Sequence, residues 1–317
     1  MKRLLKWSWA PSWGLALLAL TVACDASAMA QRTFATPDEA VQALISALER
    51  NDVTALTLLL GENSEEAITS GDEVADANDR TAFVASFKSK HQLMADGKDK
   101  MILVVGESDW PLPIPLVAAD GKWYLDGAAG AKEIAYRRIG RNELGAIAVC
   151  RGFIDAQIEY AAMGHDGQTA GLFAAKLRSD AGQQNGLYWP VGEGEPASPA
   201  GEEVVSAAAE GYKTVVGQRT PYHGYYYRIL YAQGAAANGG SKEYFVEGQL
   251  RDGVALIAWP ADYANSGVMT FMVNHEGRVY QKDPGAGTAT AVAAIRQIDT
   301  GKRWWLGVSE AREQGPL

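Results

Sequence analysis

Ala131-Lys-Glu-Ile-Ala-Tyr-Arg-Arg-Ile-Gly-Arg-Asn-Glu-Leu-Gly-Ala-Ile-Ala-Val-Cys-Arg-Gly-Phe-Ile-Asp-Ala-Gln-Ile-Glu-Tyr-Ala-Ala-Met163 is the stretch whose reading decides the fold. Its apolar positions Ile139, Ile147, Cys150, Ile154 and Ile158 recur mostly three or four residues apart, the period of one helical face. Glu133 and Arg137 stand four apart, in the order that favours an ion pair along a helix. Read this way, the stretch is one helix of about 45 Å, with Gly140, Gly145 and Gly152 as places where it can kink.

On its N-terminal side the pattern is short helices followed by short strands. Thr36-Pro37-Asp38-Glu39 supplies an N-cap, a proline at the first helical position and a glutamate able to close a capping box. Ala40, Val41, Leu44, Ile45 and Leu48 then keep helical spacing, and Asn51-Asp52 ends that helix and caps a second carrying Leu56 and Leu59. Residues 62–79, acidic and sprinkled with Gly, Ser and Asn, read as a loop, and residues 80–91 as a third helix through Phe83, Val84 and Phe87. Strands are expected at 100–105, 114–118 and 122–125, the last two joined at Asp120-Gly121.

Beyond the long helix, residues 164–206 read as loop. Strands are expected at 222–231, 243–247, 254–259, 269–273 and 278–282, with a last helix at 289–297 and a frayed tail at 312–317. The chain shows no internal repeat. The expected class is α+β: a small helix-plus-antiparallel-sheet domain over 31–127, then a domain over 128–317 in which the long helix packs on an antiparallel sheet.

Composition narrows the function. Hydrophobic residues at 47% and charged residues at 21% describe a globular chain rather than a disordered one. A net charge of −9 argues against nucleic acid as a partner, since displacing phosphate counterions needs a basic face. Residues 1–30 read as an export signal: Lys2, Arg3 and Lys6 precede an apolar run from Trp13 to Ala23, and Ala28-Met29-Ala30 offers the small residues a signal peptidase requires. Eleven apolar residues span about 16 Å as a helix, short of a hydrocarbon core of about 30 Å. The expected location is therefore periplasmic or secreted, with cleavage after Ala30. The alternative is a lipoprotein anchored at Cys24, from the box-like Leu20-Thr21-Val22-Ala23-Cys24, and this is the one membrane attachment the sequence offers. Cleavage leaves Cys150 as the sole cysteine, and its apolar neighbours Ile147, Val149, Phe153 and Ile154 mark it as a buried, inert thiol.

Five motifs in order carry a family resemblance: Trp110-Pro-Leu-Pro-Ile-Pro-Leu116, Arg137-Arg-Ile-Gly-Arg-Asn-Glu-Leu144, Gly186-Leu-Tyr-Trp-Pro190, Pro221-Tyr-His-Gly-Tyr-Tyr-Tyr-Arg228 and Val279-Tyr-Gln-Lys-Asp283. Together they resemble the bacterial exported domain-of-unknown-function family 2950 over roughly residues 34–298, with departures at Ala200, Pro284 and Tyr263–Gly267. The resemblance implies an exported protein and brings no reaction. The N-terminal domain is also similar to the cone-shaped fold of nuclear transport factor-like proteins. The C-terminal domain resembles the globular, pilin-like part of type IV pilins, without the long apolar N-terminal half-helix that fibre assembly uses.

Candidate sites follow from residue type. His91, His165, His223 and His275 lack metal-ligand spacing, Asp72, Asp76 and Asp79 lack that of a calcium loop, and neither a metal nor a cofactor is expected. No Gly-x-Ser-x-Gly elbow occurs. Strand alternation would put His223, Tyr225 and Tyr227 on one face, where His223 can serve as a general base oriented by Asp283 or Glu276; aromatic cross-strand packing is the plainer account. Arg137, Arg138 and Arg141, with Glu133 and Glu143, are either structural ion pairs docking the helix or an anion- or partner-binding groove between the domains. Trp110, Tyr188 and Trp189 lie beside prolines and present flat rings suited to a sugar or a peptide. The leading expectation is a non-catalytic envelope protein that binds a partner protein or cell-wall glycan through Trp110, Arg137, Arg138, Arg141, Tyr188, Trp189, His223 and Tyr225. The alternative is a periplasmic hydrolase using His223 with an acidic neighbour.

Overall fold

The computed structural model of the protein describes residues 31–213, 220–301 and 304–306. The export signal, Cys24 and the tail beyond residue 306 lie outside the described residues. Helices and antiparallel sheets make the fold α+β. Among the described residues no helix is long and apolar enough to cross a membrane.

Helix α1, Pro37–Glu49, starts where its caps dictate. The Thr36 hydroxyl accepts from the Glu39 amide at 3.2 Å, and the Glu39 carboxylate reaches back to the Ala35 amide at 3.1 Å. Asp52 caps α2, Val53–Leu60, through the Ala55 amide at 2.9 Å. The acidic stretch departs from its loop reading, since α3 occupies Glu65–Ile68 and α4 already begins at Glu73, ending at Ser89. Asp72 caps α4 through the Ala75 amide, and Glu73 and Asp76 sit in its first turn, where carboxylates complement the helix dipole.

A five-stranded antiparallel sheet closes this part, in the order β1 (His91–Ala95), β2 (Lys100–Val105), β4 (Leu116–Ala119), β5 (Lys122–Leu125), with β3 (Trp110–Pro111) paired to β2. Leu44, Leu56, Leu60, Leu103, Leu112 and Ile114 are among the apolar side chains of its core.

The long helix is continuous: α5 runs Gly127–Ala161, capped by Asp126 through the Ala129 amide at 3.0 Å. Its first turns press on the N-terminal core so closely that only hydrogen fits at two positions. A Cβ on Gly130 would lie 2.6 Å from Ile114, and one on Gly127 would collide with Leu60. Its second half contributes Ala146, Cys150, Phe153, Ile154, Ala156 and Tyr160 to a separate C-terminal core. One helix therefore belongs to both hydrophobic clusters, and Gln31–Leu317 forms one compact unit. Cys150 is fully buried, and burial pushes its thiol up to about 12.

Next come the parallel pair β6 (Lys176–Arg178) and β7 (Gly186–Tyr188) and helix α6 (Gly201–Ala209), in a stretch whose sequence reads as loop. The C-terminal sheet has the order β16 (Trp305–Leu306), β15 (Val279–Lys282), β14 (Thr270–Asn274), β13 (Ala255–Pro260), β8 (Tyr225–Leu230). Two small hairpin pairs, β9 (Ala232–Gln233) with β10 (Lys242–Glu243) and β11 (Phe245–Val246) with β12 (Gln249–Leu250), lie between β8 and β13 in sequence. Helix α7 is Thr288–Ala294. Strands β13 and β14 are buried along their whole length, so Ala255–Pro260 and Phe271-Met272-Val273 read as apolar runs rather than alternating ones.

Candidate functional site

Helix α5 carries Ile134, Arg137, Arg138 and Arg141 at positions i, i+3, i+4 and i+7, one stripe of its surface. That stripe faces a cavity of about 470 Å³ in the N-terminal part of the protein, open to solvent on the side of Asp79, Ala82, Ser108 and Arg141. The volume is in the range of about 300–1,000 Å³ typical of small-molecule sites. Leu44, Leu48, Leu56, Leu60, Ile68, Phe83, Leu112, Ile114 and Ile134 supply apolar walls, drawn from α1, α2, α3, α4 and α5 and from the segment after β3. Trp110, Arg80, Asp76, Asp79 and the three α5 arginines supply the polar side.

Each arginine is held differently. Arg137 donates from Nε to Glu133 at 2.7 Å, the pair the spacing predicts, and its guanidinium lies 5.2 Å from the Trp110 ring centroid. Phe83 meets the same ring edge-on at 6.1 Å. Arg141 pairs with Asp79 at 2.5 Å. Arg138, 8% exposed, makes no salt bridge among the described residues. It donates to the Asn265 carbonyl at 3.1 Å, to the Glu66 carbonyl at 2.7 Å and to the Asn265 side-chain oxygen. Burial lowers its pKa, and the charges of Asp76 and Asp79 act against that shift. Arg80 donates to the Asn51 side chain and the Ile68 carbonyl. Glu143, grouped with the arginines in the sequence, instead accepts from the amides of Val268 and Met269, each at 3.0 Å.

The other expected residues lie elsewhere. Tyr225 is fully buried in the C-terminal core, its hydroxyl donating to the Met269 carbonyl at 2.9 Å. Trp189 meets His165 edge-on at 5.4 Å, beside the Tyr160–His165 stack, and Tyr188 lies under the Arg178 guanidinium at 4.9 Å. Neither tyrosine, nor Trp189, nor His223 lines the cavity.

His223 is also not on the strand. Tyr222 and Tyr225 exchange both backbone hydrogen bonds, and His223 and Gly224 between them have φ of 49° and 75°, a two-residue hairpin turn with left-handed central residues. The ring therefore leaves the alternation assumed from the sequence. Its Nε2 lies 2.6 Å from Glu210, so Glu210 is its acidic neighbour in place of Asp283 or Glu276. Asp283 contacts the Tyr263 hydroxyl, and Glu276 the side chains of Asn238, Asn274 and Arg278. Beneath the turn, Tyr212 donates to Asp72 at 2.9 Å and accepts from the His223 amide at 3.2 Å, while Asp72 also takes the Gly224 amide at 2.9 Å.

The three aspartates of the acidic stretch are thus engaged within the protein: Asp72 with Ala75, Tyr212 and Gly224, Asp76 with the Ser70 amide, and Asp79 with Arg141. Among the described residues no three His, Cys, Asp or Glu side chains converge as a metal site.

Of the residues singled out in the sequence, Trp110 and the three arginines line the cavity, whose apolar walls the sequence did not mark. Leu44, Leu48, Leu56 and Leu60 follow helical periodicity, and that signal reads as core whether the space between the helices is filled or empty.

A family model described as "Protein of unknown function (DUF2950)" matches residues 31–306. No curated protein and no solved structure matches the chain.

Proposed function

This chain belongs to the DUF2950 family, and we propose that it is an exported, non-catalytic binding protein of the cell envelope whose site is the apolar cavity under the first half of α5. The cavity itself carries this reading. Its walls are mostly apolar and its charged groups come from α4 and α5, the arrangement of a site that buries a small apolar molecule and orients it. Its lining contains neither histidine nor cysteine. Leucine walls cannot satisfy the hydroxyls of a buried sugar, so a small apolar ligand suits this space better than a glycan. Export rests on the basic, apolar and small-residue segments of residues 1–30.

The neutral fluorophore phenylnaphthylamine tests the reading on purified protein. One saturable site is expected, abolished by Ala67→Phe or Ala82→Phe, which fill the cavity from its lining, with the melting temperature preserved in at least one variant. Absence of saturable binding, or binding indifferent to both variants, overturns it.

A hydrolase is the alternative reading, carried by the 2.6 Å contact between His223 and Glu210, which has the form of a general base with its orienting acid. Activity of the purified protein on ester, amide and glycoside reporters, erased by His223→Asn, would establish it.

A further inference from the structure

We infer that the ligand of this cavity is an anionic amphiphile, an acyl or similar apolar chain ending in a carboxylate or phosphate that docks at Arg138 and Arg141. The inference rests on the binding reading above and adds the chemistry of the head group.

Charge is the first argument. The whole chain is acidic at −9, yet four arginines line this cavity against two aspartates. One of those aspartates, Asp76, is already turned to the Ser70 amide at 3.0 Å, and the other is matched by Arg141. Glu133 balances Arg137 from beside the cavity. Arg138 and Arg80 have no carboxylate within ion-pair distance among the described residues and are held by carbonyl and amide oxygens.

Geometry is the second. Nε and Nη2 of Arg138 are committed to Glu66 and Asn265, while its Nη1 has no hydrogen-bond partner among the described residues. A buried guanidinium so placed can offer a donor to an anion without surrendering the bonds that fix it. Arg141 lies one turn further along the same stripe and is tied to Asp79 through exposed side chains, so it can turn towards a second anion at small cost. The apolar walls begin at Ile134 on the same stripe, which places a chain and its charged end in one continuous site.

Fatty acids and alkyl phosphates share this chemistry, and separate arms distinguish them. Displacement of phenylnaphthylamine is measured with dodecanoate, dodecyl phosphate and the neutral dodecanol, at low and high salt. Either anion is expected to bind more tightly than the alcohol, with the advantage shrinking in salt. Relative to dodecanol measured on the same variant, Arg141→Met weakens the preferred anion on the order of threefold and Asp79→Asn strengthens it by a similar factor. Equal affinity for alcohol and both anions, or charge variants that leave the anion-to-alcohol ratio unchanged, overturns the inference while leaving the cavity reading standing. Failure of the fluorophore and all three chains to bind removes the cavity reading itself.

Discussion

Arg138 on the long helix and Asn265 in the loop before β14 stand 127 positions apart in sequence and meet inside the protein, the guanidinium donating to the backbone carbonyl of Asn265 at 3.1 Å. The same side chain holds the Glu66 carbonyl of α3, and Asn265 donates back to the Thr69 carbonyl at 3.0 Å. With Asn142 donating to the Ser266 carbonyl at 2.9 Å and Glu143 on the Val268 and Met269 amides, α5 fixes this loop along two turns. The residue that polarises the cavity is thus also the residue that joins α3 to the C-terminal loop.

Arg138→Leu removes the charged donor shared by the Glu66 carbonyl and two oxygens of Asn265, so it is expected to lower stability by about 2–3 kcal/mol in urea unfolding. Arg138→Lys recovers only part of this, because an ammonium cannot reproduce a fork that reaches Glu66 and two oxygens of Asn265 at once. A leucine variant as stable as the parent contradicts the clamp.

Tyr225 and Tyr227 are neighbours on β8 with opposite expectations. The Tyr225 hydroxyl donates to Met269, whereas the buried Tyr227 hydroxyl has no partner among the described residues. Tyr225→Phe should cost about 1 kcal/mol, and Tyr227→Phe should be neutral or stabilising. Paired unfolding curves decide this, and an equal loss for both would contradict it.

Alkaline stability follows from burial. The Cys150 thiol is pushed from 9.0 up to about 12, and burial also raises the hydroxyls of Tyr225, Tyr227 and Tyr212. Above pH 9 the unfolded chain loses protons that the folded chain retains, so ionisation favours unfolding. Stability is therefore expected to be full below about pH 8 and to fall as pH rises through 9 and beyond, by up to about 1.4 kcal/mol per pH unit for each group. Cys150→Ala should delay the onset. Urea midpoints that stay flat to about pH 11 would sink this account.

The hairpin turn at His223-Gly224 requires two left-handed residues. Asparagine tolerates that conformation and a β-branched residue does not. His223→Asn is expected to fold with nearly the parent's melting temperature, while His223→Val loses about 1–3 kcal/mol. Equal stability of the two variants would argue that Glu210, and not the backbone, selects histidine here.

What the sequence made legible was whatever is encoded locally. The caps of α1 and α2, the Glu133–Arg137 pair and the existence of one long helix could be read from residue spacing, although the helix read at 131–163 spans Gly127–Ala161, its Asp126 cap having gone unread. The start of α4 was hidden because Asp72, Glu73 and Asp76 have the composition of a loop, and only the folded chain shows them capping and lining a first turn. Strand β1, His91–Ala95, lacks the alternation that marks a half-buried strand, being exposed at all but Leu93. The pairing of Arg138 with Asn265 and of His223 with Glu210 depends on tertiary approach, which no periodicity encodes. The cavity is the extreme case, since its wall residues are typical core residues and the space between them has no sequence signature.

The most direct measurement is a crystal structure of the protein soaked with ω-brominated dodecanoate, with the bromine located by its anomalous signal. The account predicts one bromine peak among Leu44, Leu60 and Leu112, with the carboxylate at Arg138 and Arg141. Bromine found only outside the cavity, with the space among those leucines empty, would contradict it.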